Sequence, residues 1–331
     1  MASLLTVLPS FAQPSTDVHA SAKPFYLTAN QIQTPREEFS GILRGKMIGQ
    51  LTPPVRTAPK TKSASGKICP HDHEQLYVPP GTFTMGSTKK EREYAYGLDK
   101  EVTRRYGWYN KETRRTPRTG SFCMDRHPVT NGQYKIFVDE TAHQLPYITA
   151  EAYQLQGFLV HAYSKVKAFL WRQGSFPPDQ KNRPVVLVNH HDAVSYCEWK
   201  GNKLRAKYRL PTEEEWEKAA RGTDGRIFPW GSKWIAENLN SGAHAGSTTS
   251  VGQFPLGESP YGLNDMVGNT FEWTSTPWQV PTIGSQAQKM VLKGCSWDDL
   301  PGTCRAAMRH GRPASSKHIL IGFRCVSDLG R

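Results

Sequence analysis

Two stretches of the chain combine a helical spacing of apolar side chains with a legible start. From Thr130, the side chains of Tyr134, Phe137 and Val138 fall on one face, and Thr130 with Gln133 forms a capping box, so a helix is predicted there. From Thr212 the pattern is stronger: Thr212 and Glu215 make a second capping box, Trp216, Ala219 and Ala220 form the apolar stripe, and Gly222 supplies the stop. Asp192 reads as the cap of another helix through Ala193, Tyr196, Cys197 and Trp199 that ends near Gly201. Residues 149–172 hold Leu155, Phe158, Leu159, Val166, Phe169 and Leu170 roughly in phase, which predicts one more. Strand character appears over 78–87, around a Pro-Gly turn, again over 121–130, and in the short apolar run 184–188. The charged, aromatic stretch 88–120 carries no sustained period, and no internal repeat is present.

Between residues 261 and 273 the alternation gives way to a polar-rich turn, Tyr-Gly-Leu-Asn-Asp-Met-Val-Gly-Asn-Thr-Phe-Glu-Trp. Gly262 and Gly268 permit positive φ, while Asp265 and Glu272 are acceptor-only side chains that are costly to bury without donors or a cation. A hard cation such as calcium takes oxygen ligands from irregular backbone, so Asp265, the carbonyls of Gly268 and Thr270, and Glu272 make a candidate shell. The competing reading is a hydrogen-bonded turn without metal.

This turn and four further segments resemble the formylglycine-generating-enzyme (sulfatase-modifying factor) domain. The segments are Val78-Pro-Pro-Gly-Thr-Phe-Thr-Met-Gly-Ser87, Arg209-Leu-Pro-Thr-Glu-Glu-Glu-Trp-Glu-Lys-Ala-Ala-Arg-Gly222, Lys293-Gly-Cys-Ser-Trp297 and Gly322-Phe-Arg-Cys325, all in the family's order. The resemblance spans residues 76–327 and implies an α+β fold, a variant of the C-type lectin fold poor in regular secondary structure and often holding calcium. It pairs Cys197 with Cys325; Cys69 with Cys123 is a second pairing, which leaves Cys295 with Cys304. The family's other calcium loop is matched by Asn238 and Leu239, but its downstream Asp is missing from 240–250, so one calcium site is expected.

The family's enzymes oxidise a substrate cysteine with dioxygen, using two cysteines that bind copper as thiolates, a soft pairing suited to Cu(I). Three positions here depart from that pattern. Asp299 stands where the first active cysteine is expected, the following loop is too short to equate Cys304 with the second, and Leu320 replaces an expected Asn, although Arg309 matches an active-site arginine. The Asp298-Asp299 pair favours harder cations, and copper is not expected. Cys295 and Cys304 remain the alternative as a displaced redox pair.

Composition narrows the rest. The chain has 331 residues, 37% hydrophobic, enough for one large domain with an extension. No apolar run reaches the ~20 residues of a membrane-spanning helix. Residues 1–12 resemble the end of a signal peptide, although no Lys or Arg precedes the run. Residues 13–75 form a Pro-, Ser- and Thr-rich basic extension. Residues 21–68 hold eight basic against two acidic side chains and 89–118 hold ten against five, so most of the net charge of +13 sits outside the expected core. An anionic partner for the extension is the alternative to a solvated basic surface; nucleic acid is not expected, because aromatic interleaving and a nucleic-acid fold signature are lacking. Six cysteines, an even set, favour disulfides and an extracytoplasmic place, periplasmic or secreted. No phosphate loop, nucleophile elbow or HExxH motif is present.

The sequence therefore predicts a binding or assembly module whose contact surface is the loop 297–317, with Trp297, Asp298, Asp299, Arg305, Arg309, His310 and Arg312. The alternatives are a metal-dependent oxidase of the formylglycine-generating or non-haem-iron type and a retroelement-diversified variable binding protein.

Overall fold

The strand Phe122–Asp125 is buried at all four positions, which requires cover on both faces and partners on both edges. The computed structural model describes residues 69–156, 161–242, 244–279 and 288–329. In chain order its strands are β1 (Gln75–Val78), β2 (Gly81–Thr82), β3 (Arg118–Thr119), β4 (Phe122–Asp125), β5 (Tyr208–Arg209), β6 (Phe271–Pro277), β7 (Lys289–Lys293), β8 (Arg309–Pro313), β9 (Ile321–Gly322) and β10 (Val326–Asp328). Its helices are α1 (Lys89–Leu98), α2 (Asn131–Thr141), α3 (Ala150–Leu155), α4 (Tyr163–Val166), α5 (His190–Leu204) and α6 (Glu213–Arg221). Strand β4 sits between β1 and β10 in an antiparallel sheet ordered β1-β4-β10-β5. A second sheet is ordered β8-β7-β6-β9, with β6 and β9 parallel, and β2 pairs with β3.

The capping boxes at Thr130 and Thr212 form as expected and open α2 and α6, with Gly222 as the C-cap of α6. Tyr134 and Phe137 of α2 pack against Tyr196 of α5 in an aromatic cluster that Phe323 completes. Helix α5 is capped by Asn189, with Asp192 reaching back from the third helical position. It also continues past Gly201 to Leu204. Gly201 serves close packing instead of termination: a Cβ there would stand 2.6 Å from the Ala206 carbonyl oxygen.

Two further expectations are corrected. Residues 149–172 form the short helices α3 and α4, not one long helix, and Leu155 is 88% exposed while Val166, Phe169 and Leu170 are buried. Thr149 caps α3 locally, so the apolar positions belong to separate turns; Phe158 and Leu159 lie outside the described residues. Residues 184–188 are buried but make no strand, because Val185 N–H donates to Val129 O and Leu187 N–H to His318 O, two different segments.

All three cysteine pairings expected from the sequence are present: Cys69–Cys123, Cys197–Cys325 and Cys295–Cys304. The first ties residue 69 to β4, and Gln75 already lies in β1, so the folded unit begins before residue 76. The expected leader and most of the basic extension fall outside the described residues. No described helix is long and apolar enough to cross a membrane.

Candidate functional site

The loop that follows β7 carries the Cys295–Cys304 pair and the two adjacent carboxylates Asp298 and Asp299. Cys295 and Cys304 are fully buried and bonded to each other, and the Gly268 N–H donates to Cys295 Sγ at 2.9 Å. Between them, the Ser296 N–H donates to Asp299 Oδ2 at 2.7 Å, and the Ser296 hydroxyl lies within reach of both that oxygen and Asp298 Oδ1. Burial, and then the neighbouring Asp298, push the Asp299 carboxyl up to about 7. His161 Nε2 stands 2.8 Å from Asp298 Oδ2, with its ring stacked on Trp297 at 5.0 Å. The Asp298 carboxylate thus lies between Ser296 and His161, so the imidazole meets a carboxylate and not the hydroxyl. The donor set also does not fit Cu(I): one position offers a hard carboxylate and Cys304 is consumed in a disulfide.

The stretch 88–120, unreadable by period, clamps this loop. Thr88 and Glu91 form a capping box that starts α1. Behind α1, buried Asp99 accepts the Gly302 N–H at 2.6 Å and the Thr103 hydroxyl at 2.8 Å, and is also bonded by the Tyr109 hydroxyl. Glu112 holds Arg305 through two bonds of 2.8 and 2.6 Å, both side chains being almost wholly buried, and the Arg305 guanidinium covers the Tyr109 ring. Removing the clamp would leave charges buried without partners, which makes this stretch part of the fold and not an appendage.

A cleft of about 410 Å³ opens beside the clamp, lined by Lys111, Glu112 and Arg115 on one side and by Glu213, Glu217 and Arg309 on the other. Two of its lining carboxylates, Glu213 and Glu217, belong to a chain of alternating charges that runs behind it. Glu91 meets Arg221 at 3.2 Å, Arg221 meets Glu217 at 3.0 Å, Glu217 meets Lys293 at 2.8 Å, and Lys293 approaches Glu213 at 3.8 Å. Glu213 then takes Arg309 through bonds of 2.8 and 2.9 Å. Although burial opposes ionisation, Lys293 and Arg221 hold the Glu217 carboxyl below its ordinary range. Charges with fixed partners on both sides form a rigid polar surface, the condition for selective binding.

The expected contact surface 297–317 is corrected by burial. Trp297 is 1% exposed, Arg305 is locked in its ion pair, and Arg312 is buried; Asp298, Asp299 and His310 are partly covered. The clamp and the segment around His161 lie over the loop. Of the seven expected residues, Arg309 is the one lining the cleft. Sequence reasoning missed Lys111, Glu112 and Arg115, whose nearest signal was the Thr88-Glu91 capping box, and it read Glu213 only as part of a helix start.

At the calcium turn the carboxylates have separate fates. Glu272 accepts two bonds from Arg324, at 2.8 and 2.7 Å, and one from Trp216 Nε1 at 2.8 Å, so its charge is matched by a guanidinium. Asp265 accepts the Gly252 N–H at 2.7 Å and forms no ion pair among the described residues; burial pushes its carboxyl up to about 6. The Thr270 hydroxyl is buried without a hydrogen-bond partner. The oxygens of this turn left without a cationic partner are thus those of Asp265 and Thr270, whereas Glu272 is satisfied by Arg324 and Trp216. Asn238 and Leu239, the weaker second site, are both buried. Among the described residues no three His, Cys, Asp or Glu side chains converge as metal ligands. Asp72 pairs with Lys200, and His190 packs edge-on against Trp273.

The small sheets, long irregular connections and disulfide-closed loop define an α+β protein of C-type-lectin-like fold. The chain belongs to the family of sulfatase-modifying factor enzyme 1-like domains, whose model matches residues 62–329. It is 30% identical over 326 residues to the mouse (Mus musculus) protein named inactive C-alpha-formylglycine-generating enzyme 2, covering 86% of this chain and 96% of that one. It is 29% identical over 320 residues to the formylglycine-generating enzyme of Mycobacterium tuberculosis, covering 77% and 98%. Among solved structures, PvdO from Pseudomonas aeruginosa superposes with a TM-score of 0.58 at 25% identity, covering 77% of this chain and 94% of that one.

Proposed function

We propose that the chain is a non-catalytic member of its family, an extracytoplasmic module that binds a ligand or assembles with a partner instead of making formylglycine. One observation carries this reading: Asp299 stands at the first active-cysteine position while Cys304 is closed in a buried disulfide with Cys295. Three disulfides among six cysteines suit an oxidising compartment. The name of the mouse relative, an inactive enzyme, is in keeping with the lost thiolates. A structural calcium ion at Asp265 belongs to the same reading.

Titration with Cu(I) against a competing chelator tests the reading. No tight, stoichiometric site is expected in the purified protein; a single tight site that disappears in Cys304→Ser would overturn it. Calcium has its own check. Chelation should lower the thermal midpoint of calcium-loaded protein, because a ligand bound only by the native state stabilises by mass action. The shift should vanish in Asp265→Ala, and an unchanged midpoint in the parent protein would remove the ion.

A further inference from the structure

The charges of the stretch 88–120 do not cancel at its surface. All of its carboxylates are engaged: Glu91 pairs with Arg221, Glu93 and Glu101 both hold Arg104, Glu112 holds Arg305, and buried Asp99 takes the Gly302, Thr103 and Tyr109 donors. Lys89, Lys90, Lys100, Arg105, Lys111 and Arg118 are exposed and form no ion pair among the described residues, so the surplus of this stretch is positive. The surplus is also spread out. Lys89 and Lys90 open α1 while Lys100 and Arg105 follow its end, and a helix of 10 residues is about 15 Å long, a separation that a polymer of repeated charge bridges and one small anion does not.

The aromatic faces of the same stretch are occupied from within. The Arg104 guanidinium lies 4.6 Å from the centre of the Tyr96 ring, Arg105 lies 5.0 Å from Tyr106 and Arg305 lies 4.4 Å from Tyr109, while Trp108 packs on the buried cluster that holds Tyr96 and Tyr109. Of the large hydrophobic side chains exposed among the described residues, Tyr94 alone belongs to this stretch. The surface therefore lacks both the stacking platform that a single-stranded nucleic acid uses and the apolar anchors of a membrane or protein contact. Repeated positive charge is what it presents.

We propose that the stretch 88–120 is a docking surface for a linear acidic polysaccharide, whose repeated carboxylate or sulfate groups meet the cations at the two ends of α1. This assignment rests on the reading of the chain as an extracytoplasmic binding module and names its ligand class.

The test is calorimetric titration of the full chain at low ionic strength with a heparin dodecasaccharide. Neutral dextran, an oligothymidylate of equal charge, and vesicles of phosphatidylcholine and phosphatidylserine are the comparison ligands. Lys90→Glu/Lys100→Glu/Arg105→Glu reverses charges at the surface, and Lys23→Glu/Lys46→Glu/Lys60→Glu changes the net charge equally in the basic extension. The dodecasaccharide should bind and neutral dextran should not; the first variant should weaken binding by about tenfold or more, and the second by less than about threefold. If the first variant melts below the parent, Lys90→Gln/Lys100→Gln takes its place, with a loss of about threefold or more expected. Absence of dodecasaccharide binding, equal losses in the surface and extension variants, or tighter binding of the oligothymidylate or the vesicles than of the polysaccharide would overturn the proposal. The Cu(I) titration does not involve this surface, so either reading can fail alone.

Discussion

Asp299 is the residue where the departure from the family's chemistry has the clearest physical consequence. Its folded carboxyl is held at about 7, against an ordinary value of 3.8, by burial and by Asp298. The folded state therefore keeps a proton that the unfolded chain releases, and the stability this confers is full below about pH 4 and is lost as pH rises through 7. Asp299→Asn should accordingly melt several degrees higher than the parent at pH 8 and show little gain at pH 4. A gain equal at both pH values would contradict the assignment. Asp299 was legible in the sequence as a departure from the family pattern, because finding it needed only a count from the Gly-Cys-Ser-Trp turn. The His161 contact was not, since it brings together residues 137 positions apart.

At the scale of elements, the clamp from the stretch 88–120 is the least expected feature. Its charge placed it outside the expected core, yet Glu112 and Asp99 are buried against the loop they hold. The reason lies in what patterns reveal: the helices α2 and α6 announce themselves through caps and apolar stripes, whereas buried ion pairs have no period and depend on a distant partner. Arg305→Met should cost ~3–5 kcal/mol in urea unfolding, because Glu112 would be left buried and unpaired. The double variant Glu112→Leu/Arg305→Met should recover much of that loss. A double variant as unstable as the single would show that the clamp acts through packing alone. The overextended reading of 149–172 has a related cause, since apolar residues in phase do not reveal where a chain turns between them.

Across the whole molecule, the Cys197–Cys325 bond joins α5 to the residue just before β10, across 128 positions. By the chain-entropy argument its removal in Cys197→Ser/Cys325→Ser should cost ~4–5 kcal/mol, less any strain, read as a drop in the denaturation midpoint. This pairing and the fold were legible because five motif segments fixed the family's order, whereas within the surface that motif reading placed at 297–317 Trp297, Arg305 and Arg312 are buried and Arg309 is the residue that lines the open cleft. The lectin-like scaffold positions a rigid polar cleft without supplying a thiolate pair, and fold alone does not decide function. The proposed loss of oxidation chemistry is tested most directly on a peptide substrate. Copper-loaded protein, incubated under air with a cysteine-containing sulfatase-motif peptide, should yield no formylglycine above a no-protein control by mass spectrometry. Copper-dependent turnover that is abolished by Cys295→Ser or Cys304→Ser would contradict the account.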